Sequence, residues 1–153
     1  MSVRPPRLLL TSLLCCAALS SAAGTTLYAR LGGQSGVAAI ADTLIDRAAN
    51  DPVAGRSFAG SNLNRIKTLL AEQLCDLSGG PCHYSGDPMK QVHGGHRISE
   101  AEFNRMVESL QAVLKERHVD LRSRNQLLRL LAPMKRDIVE HAQITGQTRT
   151  PGP

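Results

Sequence analysis

Apolar residues in this chain recur at intervals of three and four over most of its length, and they never alternate with polar ones long enough to make a half-buried strand. That periodicity predicts an all-α fold. Val37, Ile40, Ala41, Leu44, Ile45 and Ala48 fall on one face of a helix that Asn50-Asp51-Pro52 ends. Leu63, Ile66, Leu70, Leu74 and Leu77 do the same on a following helix, terminated by Gly79-Gly80-Pro81. A short helix over Leu27 to Leu31 precedes both and stops at Gly32-Gly33. Ser99 and Glu102 form an S-x-x-E capping box, and Ile98 and Phe103 stand at the spacing of a hydrophobic staple, so a helix begins there and continues its apolar face through Met106, Val107, Leu110 and Leu114. The last helix is expected from about Asp120 to His141, presenting Leu127, Leu128, Leu131, Met134 and Ile138, with a kink at Pro133. A glycine- and proline-containing loop fills the interval from Gly79 to about Met89.

With 153 residues and 42% of them hydrophobic, the chain is long enough for a single domain with its own core. Aromatics make up only 3% and Trp is absent, so the base-stacking platforms of single-strand nucleic-acid binders are missing and nucleic acid is not expected as a partner. Residues 1–23 read as a secretory signal: Arg4 and Arg7 supply a positive head, Leu8 to Leu19 an apolar stretch, and Ser21-Ala22-Ala23 a cleavage site. The apolar stretch falls short of the ~20 residues that span a bilayer, so a cleaved signal and export to the periplasm or medium are expected rather than a membrane anchor. Removing Arg4 and Arg7 leaves 16 basic residues against 13 acidic, a mild surplus that suits an ordinary soluble domain. Residues 142–153 form a polar tail with glycines and prolines, expected to be loose.

Cleavage would leave two cysteines, Cys75 and Cys82, in a space where pairing is permitted. Bonded, they close an eight-residue ring worth roughly 2–3 kcal/mol in the chain-entropy account. A metal site made from Cys75, Cys82 and His83 lacks the paired short C-x-x-C spacing of structural zinc, and free thiols are the remaining alternative. No Gly-x-Ser-x-Gly, His-Glu-x-x-His or nucleotide-binding glycine loop is present, which leaves hydrolytic catalysis without support.

Leu27-Tyr28-x-x-Leu31-Gly32-Gly33, Phe58-Ala59-Gly60, Gly79-Gly80-Pro81, Tyr84-Ser85-Gly86 and Met89-Lys90-Gln91-Val92-His93, taken in order, resemble the truncated haemoglobins, most closely group I. The resemblance runs from about Thr26 to about Val139, with Ala132-Pro133-Met134 fitting near its end, and a domain over 25–141 is expected. It implies a shortened globin fold, a two-over-two helical sandwich enclosing haem b. His93, which follows the apolar-flanked turn Met89 to Val92, matches the family's proximal iron ligand. Phe58 matches the residue that wedges against the porphyrin, and Met89, Ile98, Phe103 and Met106 look similarly placed along the walls. Ser61, Arg65 and Tyr84 match positions that touch the propionates, although a solvated surface role suits each of them equally.

The chain departs from the family on the ligand side. The second helix carries Leu44-Ile45 where an aromatic pair ending in Tyr is frequent, and the third carries Ile66 and Leu70 where a Gln often stands, with Gln73 one turn onward. The distal pocket of Ile45, Ile66, Leu70 and Gln73 is thus expected to be apolar unless Gln73 reaches the iron. The resemblance implies reversible binding of oxygen, NO or CO, with an electron-donor protein as a further partner, and the apolar ligand side predicts that oxygen is not gripped tightly. The alternatives are a haem-dependent NO dioxygenase or peroxidase-like enzyme, which benefits from a distal donor this chain lacks, and a haem-free helical interaction module. His96 is expected to face water, and His83, His118 and His141 to lie on the surface.

Overall fold

The computed structural model describes residues 26–140. The expected signal over 1–23, the tail over 142–153 and His141 lie outside them. Every regular element among the described residues is helical. In order these are α1 (Leu27–Arg30), α2 (Gly33–Asn50), a 3-10 turn (Gly55–Phe58), α3 (Leu63–Leu77), α4 (Met89–His93), α5 (Glu100–Glu116), α6 (Leu121–Leu131), a second 3-10 turn (Ala132–Met134) and α7 (Lys135–Ile138).

The helix starts are set by side chains that accept backbone N–H groups. Asn62 takes the amide of Arg65 at 3.1 Å, and Asp120 takes that of Ser123 at 3.0 Å. Ser99 and Glu102 make the reciprocal capping box that their spacing predicts. Two boundaries differ from expectation. The interval before His93 is a five-residue helix rather than a turn, with His93 as its last residue. The last helix does not run unbroken to His141. Pro133 has no N–H to give, so the chain tightens into a 3-10 turn over Ala132–Met134 and resumes as α7, which ends at Ile138.

α2 is the central element and packs against both α3 and α5. Its predicted apolar face is buried throughout, with Val37, Ile40 and Ala41 fully inaccessible. Leu74 of α3, Val113 and Leu114 of α5 and Leu127 of α6 complete this half of the interior. At the C-terminal end of α3 the sulfurs of Cys75 and Cys82 are joined at 1.97 Å, which ties the following loop back to the helix. That loop is also bonded to α3 by the Tyr84 amide on Asp76 and by the Ser85 amide and hydroxyl on Glu72.

The corner between α1 and α2 depends on Gly32, whose backbone is left-handed at φ 96°, and on Gly36 one turn later. A Cβ at Gly36 would overlap the backbone carbonyl of Leu31, and backbone cannot swing aside as a side chain could. Gly36→Ala is therefore expected to lower unfolding free energy by about 3 kcal/mol, read as a reduced urea midpoint with an unchanged slope.

Candidate functional site

The other half of the interior is not filled by side chains. Ile66, Leu69 and Leu70 on the first turns of α3 stay half-exposed because they border a cavity of about 430 Å³. α2 contributes Leu44 and Ile45 to one wall, Ile45 being buried to 2%. α4 and α5 supply Met89, His93, Phe103 and Met106, with Ile98 just before α5. Phe58 closes one end from the first 3-10 turn, and Ser61, Arg65, Gln73 and Tyr84 also lie on the lining. Every residue that the sequence singled out for a haem site thus borders this one space.

His93 is fixed by its own helix. Its Nδ1 lies 2.8 Å from the carbonyl oxygen of Met89, four residues back, and donates to it. Nε2 is left as the nitrogen with a free lone pair, the arrangement that metal-bound imidazoles adopt. Burial pushes the ring below the ordinary value of 6.5, the bond to Met89 works against that, and His96 adds to the lowering, so the neutral, ligand-competent form is favoured. His96 itself is exposed, as expected, at the edge of the cavity, and its backbone amide bonds the carbonyl of His93 at 3.2 Å. His83 and His118 are exposed. Tyr84 donates its hydroxyl to the carbonyl of Asp87 at 3.0 Å, and burial, then Asp87 and Glu72, raise its pKa, which keeps the phenol neutral.

Three features of the lining were not anticipated. Leu131, Met134 and Ile138 face the cavity from the α6–α7 end, a consequence of the helical path through the Pro133 turn. Gln73 does not present a free amide: its Nε2 lies 3.4 Å from the sulfur of Met89 and 3.7 Å from that of Met134. Glu102 borders the space as well, and has a second task beyond the capping box. Its carboxylate accepts from the Ser57 hydroxyl at 2.7 Å, the Ser99 hydroxyl at 2.6 Å and the Arg56 guanidinium at 2.6 Å. Arg56 reaches on to the carbonyls of His96 and Arg97, at 3.4 and 2.7 Å. The capping box was legible in the sequence, but Ser57 and Arg56 are 45 and 46 residues away from Glu102 and gave no local signal.

The lining suits a flat apolar macrocycle with acidic arms. It offers an imidazole with one committed nitrogen, aliphatic and thioether walls, and Ser61, Arg65 and Tyr84 as hydroxyls and a cation. The sequence pattern of the family described as bacterial-like globin matches residues 26–140. The chain belongs to that family. The globin is 30% identical over 113 residues to the group 1 truncated hemoglobin GlbN of Mycolicibacterium paratuberculosis, covering 74% of this chain and 83% of that one. It is 28% identical to the protein of the same name from a Nostoc species, over 72% of this chain and 94% of the other. Among solved structures it is similar to the Fe(III) form of truncated hemoglobin from Tetrahymena pyriformis, with a TM-score of 0.72 and 25% identity over 76% of this chain and 99% of that one. The 2/2 hemoglobin of a Synechococcus species shares the fold alone, with a TM-score of 0.69 and 18% identity over 74% and 98% of the two chains. The all-helical globin thus has the two-over-two architecture of the truncated hemoglobins. Among the described residues no helix is long and apolar enough to cross a membrane.

Burial alone would raise the pKa of Glu102, but the bonds from the Ser99 side chain and backbone, from Ser57 and from Arg56 hold it at about 2. A depressed folded-state pKa contributes stability that is complete above the ordinary carboxylate value of 4.5 and is lost as pH falls from there toward 2. Glu102→Gln is therefore expected to cost about 2–3 kcal/mol at pH 7 and much less at pH 3, measured by urea unfolding at the two pH values.

Proposed function

We propose that this globin holds haem b through His93 and binds diatomic gases reversibly at the iron, with weak discrimination in favour of oxygen. The observation that carries the reading is the His93 imidazole bordering an apolar cavity with Nδ1 committed to the Met89 carbonyl. When bound, haem would supply the iron at which oxygen, NO or CO is taken up. His93 would hold the iron through Nε2, and the Nδ1 bond sets the tautomer and raises the basicity of that nitrogen. Phe58, Phe103, Met106 and Ile98 would pack the macrocycle and exclude water, while Ser61 and Arg65 would meet the propionates, with Tyr84, its hydroxyl proton given to Asp87, beside them on the lining.

The wall formed by Ile45, Ile66 and Leu70 contains no side-chain N–H or O–H. A ligand atom that gains negative charge finds nothing to bond there, so oxygen loses more than carbon monoxide does. The same wall disfavours NO dioxygenation and peroxidase-like turnover, which draw on a positioned donor or acid. A haem-free interaction module is disfavoured by the cavity, because an apolar space of this size goes against close packing unless something fills it. Export is part of the proposal: residues 1–23 have the charge, apolar run and small-residue site of a secretory signal, and a lasting Cys75–Cys82 bond suits an oxidising compartment.

Titration of the purified chain with hemin should give a Soret band that saturates at equimolar hemin. His93→Gly should lose the ligated spectrum and regain it with added imidazole; a colourless wild type, or a His93→Gly spectrum like that of wild type, sinks the reading. Ile45→Tyr, which adds a hydroxyl to the apolar wall, is expected to slow oxygen dissociation roughly 5- to 150-fold in stopped-flow measurements and to affect carbon monoxide less.

A further inference from the structure

Gln73 stands one turn beyond Leu70 on α3, and its amide is committed to sulfur rather than left free toward the apolar wall of Ile66 and Leu70. The Nε2 group carries two N–H bonds and has two sulfur acceptors within reach, Met89 on α4 and Met134 on the second 3-10 turn. The atom left over is Oε1, which can only accept. An acceptor gives no stabilisation to a gas ligand whose outer atom gains negative charge.

The recipient of the bond matters more. α4 has five residues and no side-chain cap at its N-terminus, too short to be stable by itself, so contacts from outside fix where it lies. Among the described residues, the Gln73 to Met89 bond is the one hydrogen bond that joins an α4 side chain to another element. Met89 is also the residue whose carbonyl holds the Nδ1 of His93. We infer that Gln73 is a positioning residue for the His93 imidazole: it clamps the side chain of Met89, and through Met89 sets the placement of α4, rather than donating to the gas. Met134, bonded to the same amide, ties the α6–α7 end into the clamp.

This inference rests on the haem reading, and the two fail in different ways. Gln73→Leu keeps the size and removes both donors. In the hemin-loaded protein, resonance Raman of the ferrous form is expected to show a shifted and broadened iron–imidazole stretch. The C–O stretch of the carbon monoxide complex should stay where it is in wild type, and hemin transfer to an apoglobin acceptor should quicken roughly three- to tenfold. Met89→Leu, which removes the acceptor and keeps Gln73, should give the same proximal signature and guards against failure of the first variant to fold. A moved C–O band, or an iron–imidazole band unchanged in both variants, overturns the positioning role and leaves the haem reading intact. If wild type takes up no hemin, both fall.

Discussion

One buried carboxylate holds the cavity half of this globin in shape. Glu102 is 5% exposed and receives bonds from three directions: Ser99 on its own helix start, and Ser57 and Arg56 on the first 3-10 turn. The 3-10 turn carries Phe58 into the cavity, and Arg56 in addition grips the carbonyls of His96 and Arg97, immediately beyond the helix that ends in His93. A single charge thus fixes the end wall, the start of α5 and the segment after the imidazole relative to one another. Removing a buried charge from water is costly, and it is repaid here only because four donors converge on it. Arg56 is itself 57% exposed and contributes less through its charge than through the geometry of its fork.

The two halves of the interior are built on different terms. Around α2, Leu74, Val113, Leu114 and Leu127 are buried and belong to one continuous apolar cluster. α3 belongs to both halves. Its last turns bury Leu74 and Cys75, while Ile66, Leu69 and Leu70 on its earlier turns border open space. One rigid helix therefore transmits the order of the closed core to the wall of the cavity. The sulfur link from Cys75 and the bonds from Glu72 and Asp76 extend that order along the loop toward α4.

The closed core was readable from periodicity alone, because burial on one face of α2 forces apolar residues at three and four whatever the partners are. The capping box at Ser99 was readable because it is local. The cavity was not readable from periodicity: Ile66 and Leu70 carry the same pattern whether a neighbour or open space faces them, and only the ordered motifs around Phe58, Tyr84 and His93 distinguished the two. What stayed hidden depends on distant partners. The destination of the Gln73 amide is set by sulfurs 16 and 61 residues away, and the second role of Glu102 by side chains more than 40 residues upstream. The helix at Met89–His93 was missed for a related reason, since five residues carry too little intrinsic preference to signal a helix before tertiary contacts select it.

These placements bear on how ligand preference is divided between the two sides of the cavity. On the Ile45 side the side chains of Ile45, Ile66 and Leu70 carry no hydrogen-bond donor. On the His93 side nearly every polar bond of the pocket is spent on orientation: Met89 on Nδ1, Gln73 on Met89, Arg56 on the backbone beyond, Glu102 on Arg56. A site built this way fixes the orientation of its imidazole. Under the proposed haem reading, the bonds behind His93 act on the metal alike for every diatomic ligand, whereas the Ile45 wall acts only on a ligand that gains charge. The distinction follows from charge alone: orientation of the imidazole acts on the metal whatever the ligand, and a hydrogen bond acts only on the ligand that carries charge to receive it.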